Sequence, residues 1–365
     1  MNLQLNDVQQ PLQDSLARLL AREYDFGHRQ QYVTAEAGHS PEVWAQLAEL
    51  GVTAAAIAEA HGGFGGDAVD HMAISEALGK CLSLEPYHGT AVMAATAIGL
   101  VGSEAQQARL LPRIGQGDLQ VAWAHGEAVA GRVTVCAGHG VDGWWLYGAK
   151  PCVLHGAGAE YLLVTAQAAG EGVQLFLVDA RTQGVHRDAY RLIDGTPAAD
   201  VTLDGAPAER LGKLTPALLQ RLLDTGISAA CAEMVGAMDA ACTLTVAYLK
   251  TRKQFGRLIG SNQALQHRAV DMLVALEQSR SLSVSLALAL AGRNDLAGAD
   301  VPSHAAKVFV TRNARQVCQE AIQMHGGIGM TEEYAVGHYL RRILVLDQLH
   351  GDMQFHLGRL EGRPE

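Results

Sequence analysis

No two of the six cysteines (Cys81, Cys136, Cys152, Cys231, Cys242, Cys318) form a CxxC pair. They read as reduced, mostly buried small hydrophobes of a cytoplasmic protein, not as a disulfide framework. Fifteen histidines are present but no HExxH or comparable ligand spacing, so no metal site is expected. Basic residues are outnumbered, 28 Lys and Arg against 38 Asp and Glu, for a net charge of -10. A general nucleic-acid binder needs a basic face to displace counterions from phosphates, and this balance speaks against one. No apolar run approaches the length that spans a bilayer, and the mostly apolar residues 282–291 sit inside a helical pattern. The opening MNLQLNDVQQ has no basic region followed by an apolar core, so no secretory signal is expected. Internal repeats, low-complexity tracts and long linkers are absent.

What is present divides into three parts. The 365 residues suffice for two or three domains with sizeable cores. Residues 1–118 read as helical, with apolar positions recurring at three and four spacings in 8–20 and 43–50. The glycine cluster 62–66 makes a turn, and Asp67 is placed to cap a helix over 68–78. A helix over 90–101 follows. Ser103, with Gln106 at the third helical position, gives a capping-box start to 104–114. Residues 119–213 change character: β-rich runs at 132–136, 144–148, 161–166, 173–178 and 199–203 alternate with Gly and Asp turns. Without intervening helices they predict an antiparallel barrel or sandwich. Residues 214–365 are helical again. The run 218–250 carries only Arg221, Asp224, Glu233, Asp239 and Lys250 as charges, which predicts a helix buried in a bundle or against another subunit. With 263–291 and 303–324 it predicts a helical bundle.

Two stretches of the last part carry chemistry. The first closes the long helix: Tyr248, Lys250, Arg252, Gln254, Phe255 and Gly256. It reads either as a helix C-cap with basic residues facing the macrodipole or as a phosphate contact. In the second reading Arg252 is a fork-shaped donor to a pyrophosphate and Phe255 packs on a ring. The second stretch runs from Gln323 through the glycine turn at Gly326, Gly327 and Gly329 to the basic pair Arg341 and Arg342. An apolar segment then ends at His350, Gly351 and Asp352.

YLKTRKQFGRLIGSNQALQHRAVDM and QMHGGIGMTEEYAVGHYLRR resemble the two C-terminal signatures of the acyl-CoA dehydrogenases. GVTAAAIAEAHGGFGG resembles the family's early glycine turn, and GSEAQQARLLPRIGQGD the helix that leads into its β domain. The resemblance covers nearly the whole chain in the family's order. It implies an N-terminal α-helical domain, a middle antiparallel β-barrel domain and a C-terminal four-helix bundle. It also implies FAD as cofactor, an acyl-CoA thioester as substrate and an electron-transferring flavoprotein as acceptor. In this family a carboxylate takes the α proton while the β hydride goes to the flavin. The proteins are dimers or tetramers in which a neighbour contributes to each FAD site. The residues matching that neighbour-side set are Arg252, Gln254, Phe255, Gln323, Gly326 and Gly327.

The chain departs from the family on the pocket side. Of the family's Thr-Glu-Pro segment and small-residue turn, residues 126–131 keep only Glu127. Beyond Lys150, Cys152 stands where the family has an aromatic and Leu154 where it has a hydroxyl. The usual base, a glutamate nine residues after the arginine matching Arg341, falls at His350. A second subgroup's glutamate falls at Gly226, before Ile227. Neither position holds a carboxylate. His350 is then either a substitute base or a polar residue filling the vacated place, with Asp347 and Asp352 as further candidates. Three expectations follow. The chain is one subunit of a hetero-oligomeric acyl-CoA dehydrogenase of fatty acid or steroid side-chain degradation. Or it is a self-sufficient homo-oligomer that uses His350. Or it is a non-catalytic scaffold subunit.

Overall fold

The computed structural model describes residues 9–127, 132–141, 143–292 and 303–362. Its N-terminal part is built from α1 (Gln9–Glu23), α2 (Phe26–Thr34), α3 (Pro41–Glu49), α4 (Ala68–Cys81), α5 (Ala95–Val101) and α6 (Glu104–Gly115). Both expected caps are made. The Ser103 hydroxyl accepts from the Gln106 N–H, and the Gln106 side chain accepts from the Ser103 N–H. Asp67 caps α4, and Asp70 closes the reciprocal bond. The helix expected over 90–101 differs at its start: His88–Ala94 winds as a π-helix before α5 takes over. Such wide turns are uncommon and often sit at functional sites.

The middle part is β1 (Val121–Ala124), β2 (Cys136–Gly140), β3 (Gly143–Leu154), β4 (Tyr161–Ala168), β5 (Gly172–Asp179), β6 (Val185–Arg191) and β7 (Pro197–Lys213). The pairings β4–β2, β2–β3, β3–β7, β7–β5 and β5–β4 return to their start, so five strands close a barrel. β1 is added on β4 and β6 on β7. Two pairings correct the purely antiparallel expectation: β4 runs parallel to both β1 and β2. The strand expected over 132–136 begins only at Cys136. Leu146, Val164, Phe176, Val201 and Ala206 fill the barrel's own core.

The C-terminal part packs α7 (Pro216–Thr251), α8 (Gln263–Leu290), α9 (Ser303–His325) and α10 (Val336–Gln348), with α11 (Met353–Leu360) laid on α9. α7 and α8 are long and apolar enough to cross a membrane by length and composition, which corrects the expectation that no run qualifies. In α7, 78% of that apolar window is buried inside the protein, the pattern of a core helix. The cysteines also depart from expectation. Cys231, Cys242 and Cys318 are buried, Cys81 is half-buried, and Cys136 and Cys152 are exposed.

α4 and α7 meet backbone to backbone. A Cβ on Gly79 would lie 2.1 Å from the Glu233 carbonyl oxygen, and one on Gly236 would lie 2.0 Å from that of Glu76. Alanine ordinarily favours a helix interior over glycine by about 1 kcal/mol. Here the helices must part to admit it, at a cost of about 1–3 kcal/mol beyond that gain. Gly236→Ala is therefore expected to lower the thermal midpoint; an unchanged or raised midpoint would show that the crossing yields freely.

Candidate functional site

α7 ends where the Arg252 N–H bonds the Tyr248 carbonyl at 2.8 Å, so the C-cap reading of Arg252 holds for its backbone. Its side chain is exposed and has no partner among the described residues. The next residues form the small hairpin β8 (Lys253–Gln254) and β9 (Arg257–Leu258). Phe255 stands at the tip with a positive φ of 50°, 101% exposed. An aromatic ring fully in water gains nothing within this chain, so its packing partner has to come from outside. The glycine turn lies beside this hairpin's root, because Tyr248 stacks on His325 at 4.4 Å and both rings contact Tyr334. Gln323, Gly326 and Gly327 are exposed there. A Cβ on either glycine would meet nothing within 4 Å, so the chain's own packing leaves that backbone open to close approach. A free guanidinium, an exposed ring and bare backbone suit an anionic, ring-bearing ligand such as FAD.

The barrel wall is built differently. Lys150 of β3 is wholly buried and pairs with Glu127. Its Nζ also donates to the Thr165 hydroxyl at 3.1 Å, which contacts His125 Nδ1 at 3.0 Å. Burial pulls the Lys150 pKa down, and Glu127 works against that pull. Gly126 and Glu127 are described, while 128–131 lie outside the described residues. Cys152 sits in an irregularity of the β3–β7 pairing with φ 51°. Its N–H donates to Asp200 Oδ1 at 2.8 Å, the oxygen that also accepts from the Tyr190 hydroxyl at 2.8 Å. The thiol is exposed and Leu154 is half-buried. Neither offers the flat packing surface or the hydrogen bond that a flavin ring would need from these positions. Among the described residues, positions 152 and 154 of the wall do not fit the cofactor as the outer end does.

The expected reaction centre lies past α10. The chain turns through His350 (φ 60°) and Gly351 (φ 100°), and Asp352 then caps α11 by accepting from the Phe355 N–H at 2.8 Å. Lys307 of α9, wholly buried, donates to the Leu346 and Leu349 carbonyls and so holds the end of α10. Burial pulls its pKa to about 8. Asp347 accepts from the Met353 N–H at 2.9 Å and lies 3.7 Å from Arg315. Asp347 and Asp352 are thus committed to the turn, which removes both as candidate bases. His350 is half-buried, with Nε2 2.9 Å from Nε2 of His88 on the π-helical turn. Burial, then His88, Lys307 and His125, hold its pKa well below the usual imidazole value. A Cβ on Gly226 would lie 2.4 Å from His350 Nε2 and 2.7 Å from Met93 Sδ. Positions 226 and 350, the two at which a carboxylate was expected, are therefore face to face.

Sequence reasoning missed His88 and Lys307, and it singled out Arg342 only as half of a basic pair, not as a buried cation. His88 had no local signal, since its contact spans 262 residues. Arg342 could have been found from phase: Val336, Tyr339, Ile343 and Leu346 mark the buried face of α10, and Arg342 lies three residues after Tyr339. Arg341 instead points outward to Glu332.

Comparison with known proteins gives consistent matches. The description "Acyl-CoA dehydrogenase, N-terminal domain" fits residues 6–118, and "Acyl-CoA dehydrogenase, C-terminal domain" fits 217–363. Acyl-CoA dehydrogenase IpdE2 of Mycolicibacterium smegmatis is 28% identical over 98% of this chain and 99% of its own. Among solved structures, a variant of the Tcur3481-Tcur3483 steroid ACAD is 30% identical, covering 97% of each chain with a TM-score of 0.88. The ChsE4-ChsE5 complex from Mycobacterium tuberculosis is 25% identical, covering 99% of this chain and 98% of that one, with a TM-score of 0.90.

Proposed function

The chain belongs to the acyl-CoA dehydrogenase family, and from that premise we propose that it is one subunit of a hetero-oligomeric, FAD-dependent acyl-CoA dehydrogenase. It lends contacts to a flavin held mainly by a homologous partner and lacks a working base of its own. The observation that carries this reading is the contrast within one chain. The outer end presents Arg252, Gln254, Phe255, Gln323, Gly326 and Gly327 exposed and open, while the reaction centre has no carboxylate at either expected position. His350 does not replace it: its lowered pKa makes it a weak proton acceptor, and an α proton beside a thioester needs a positioned base of matched strength.

Bound FAD would supply the hydride acceptor in such a complex. Arg252 would pair with its pyrophosphate, Phe255 would cover a ring, and the Gly326–Gly327 backbone with Gln323 would bond its adenosine end. Relatives named as a steroid enzyme and as a two-component complex support a bulky acyl-CoA substrate and a homologous partner. An electron-transferring flavoprotein is the acceptor in this reading.

The test is flavin stoichiometry, for the chain alone and co-expressed with an acyl-CoA dehydrogenase homologue. The reading expects one FAD per pair of chains in the complex and little in the chain alone. A yellow homo-oligomer that oxidises an acyl-CoA unaided would overturn it. Within the complex, Arg252→Ala removes charge-assisted hydrogen bonds of about 1.5–3 kcal/mol and is expected to weaken FAD roughly 10- to 100-fold. Retained affinity would place the pyrophosphate elsewhere.

A further inference from the structure

The contact between His88 and His350 has no role in the function just described, yet four separate features build it. His88 opens the π-helical turn of the N-terminal part. His350 adopts a left-handed conformation that non-glycine residues rarely take. Lys307 donates to the carbonyl of Leu349, immediately before it. Gly226 on α7 provides the gap into which the imidazole edge fits, since any side chain there would collide with Nε2. The rings lie 5.2 Å apart, centroid to centroid. Two Nε2 atoms at 2.9 Å can bond only when one carries the proton and the other offers its lone pair. Burial disfavours protonation of both rings, so the accepting nitrogen keeps its lone pair.

We propose that the His88–His350 pair is a clasp that closes this chain's own reaction site to acyl thioesters. Gly226 is the residue that makes room for it. The inference rests on the reading of the chain as the subunit without a base. An acyl group reaching the point between positions 226 and 350 meets an imidazole seated directly against α7 and tied across to His88. It enters only by breaking that bond and pushing the Lys307-held turn outward. His88 is thus a positioning residue: it holds the 350 imidazole by Nε2, the nitrogen that lies against Gly226.

The experiment counts octanoyl-CoA bound per pair of chains in the complex with the homologous partner, by calorimetry, for wild type and for His88→Ala/His350→Ala in this chain. The clasp predicts that the double variant gains one binding site per pair over wild type. Gly226→Ala, which drives His350 off α7, is expected to gain the same site. No gain in either variant overturns the proposal, as does a wild-type complex that already binds one octanoyl-CoA on each chain. Should the double variant fail to assemble, Gly226→Ala and the milder His88→Asn carry the test. Failure of the clasp leaves one FAD per pair unchanged. Failure of the subunit reading appears as one FAD on every chain, so the two are told apart.

Discussion

Acidification from pH 7.5 to about 5 is expected to unfold this protein, above the range where most carboxylates titrate. His39, His71, His155, His325, His338 and His356 are each less than a tenth exposed. Burial lowers the pKa of all six, to about 4 for His71 and about 3 for His356, and well below the usual value for His155. The sign follows from linkage. A histidine whose folded pKa lies below its unfolded value of about 6.5 binds its proton first in the unfolded chain. Its stabilisation is complete above that value and is lost as pH falls from there toward the folded pKa. One unit below, each strongly shifted ring costs about 1.4 kcal/mol, and at pH 5 about 2 kcal/mol. His71 and His356 together then remove about 4 kcal/mol, and His155 acts in the same direction, a large share of the roughly 5–15 kcal/mol that holds a domain folded. Glu85 works the other way, because burial raises its pKa and it gains stability on protonation. Lys307, with a pKa of about 8, is mostly charged at the top of this range and changes little in it. A far-UV dichroism titration checks the prediction. A midpoint below pH 4 would assign acid unfolding to carboxylates instead. His71→Leu, which removes one proton-linked ring, is expected to move the midpoint down.

Local signals were legible in the sequence and long-range ones were not. Ser103 and Asp67 announced their helices because capping is written within four residues. The end of the long helix near Arg252 and the glycine turn at Gly326 and Gly327 were legible because both are marked by consecutive residues, whereas the hairpin that carries Phe255 was not expected. β6 escaped notice because it is paired on one side only and exposed for most of its length, so it has no alternation to read. β1 is four residues long. The parallel direction of β4 against β1 and β2 could not be read from spacing, which is silent on strand order. Gly226 was legible as the absence of a carboxylate. Its steric reason, an imidazole edge delivered from position 350, depends on a turn more than a hundred residues away. The same limit hid the buried charges that join the three parts of the molecule.

Arg342→Met is expected to destabilise the protein by about 3–5 kcal/mol, because it leaves buried carboxylates without their cation. The Arg342 guanidinium donates from Nε to Glu233 of α7 at 2.6 Å, and from Nη1 to Asp194 and Thr196 at 2.9 Å. Asp194 lies in the loop between β6 and β7, and its carbonyl also accepts from Arg29 of α2. Glu233, Asp194, Thr196, Arg29 and Arg342 are all less than a tenth exposed. Burial opposes the charge on Arg342, and Glu233 and Asp194 outweigh it, so its pKa is raised. One side chain therefore ties α10 to the barrel and to α7, and indirectly to the N-terminal helices. The loss comes less from the bonds removed than from two carboxylates left in a dry place. That distinction is testable by denaturant unfolding of a second variant. Neutralising the acids together with the base, as Arg342→Met/Glu233→Gln/Asp194→Asn, is expected to recover part of the loss, since neither carboxylate remains buried and unpaired, while the buried Arg29 cation loses Asp194 as its anion but keeps its bonds to the Leu82 and Asp194 carbonyls. A single variant within about 1 kcal/mol of wild type would mean that water reaches the site. A triple variant no better than the single one would mean that the geometry of the joint, and not its charge balance, holds the barrel against the bundle.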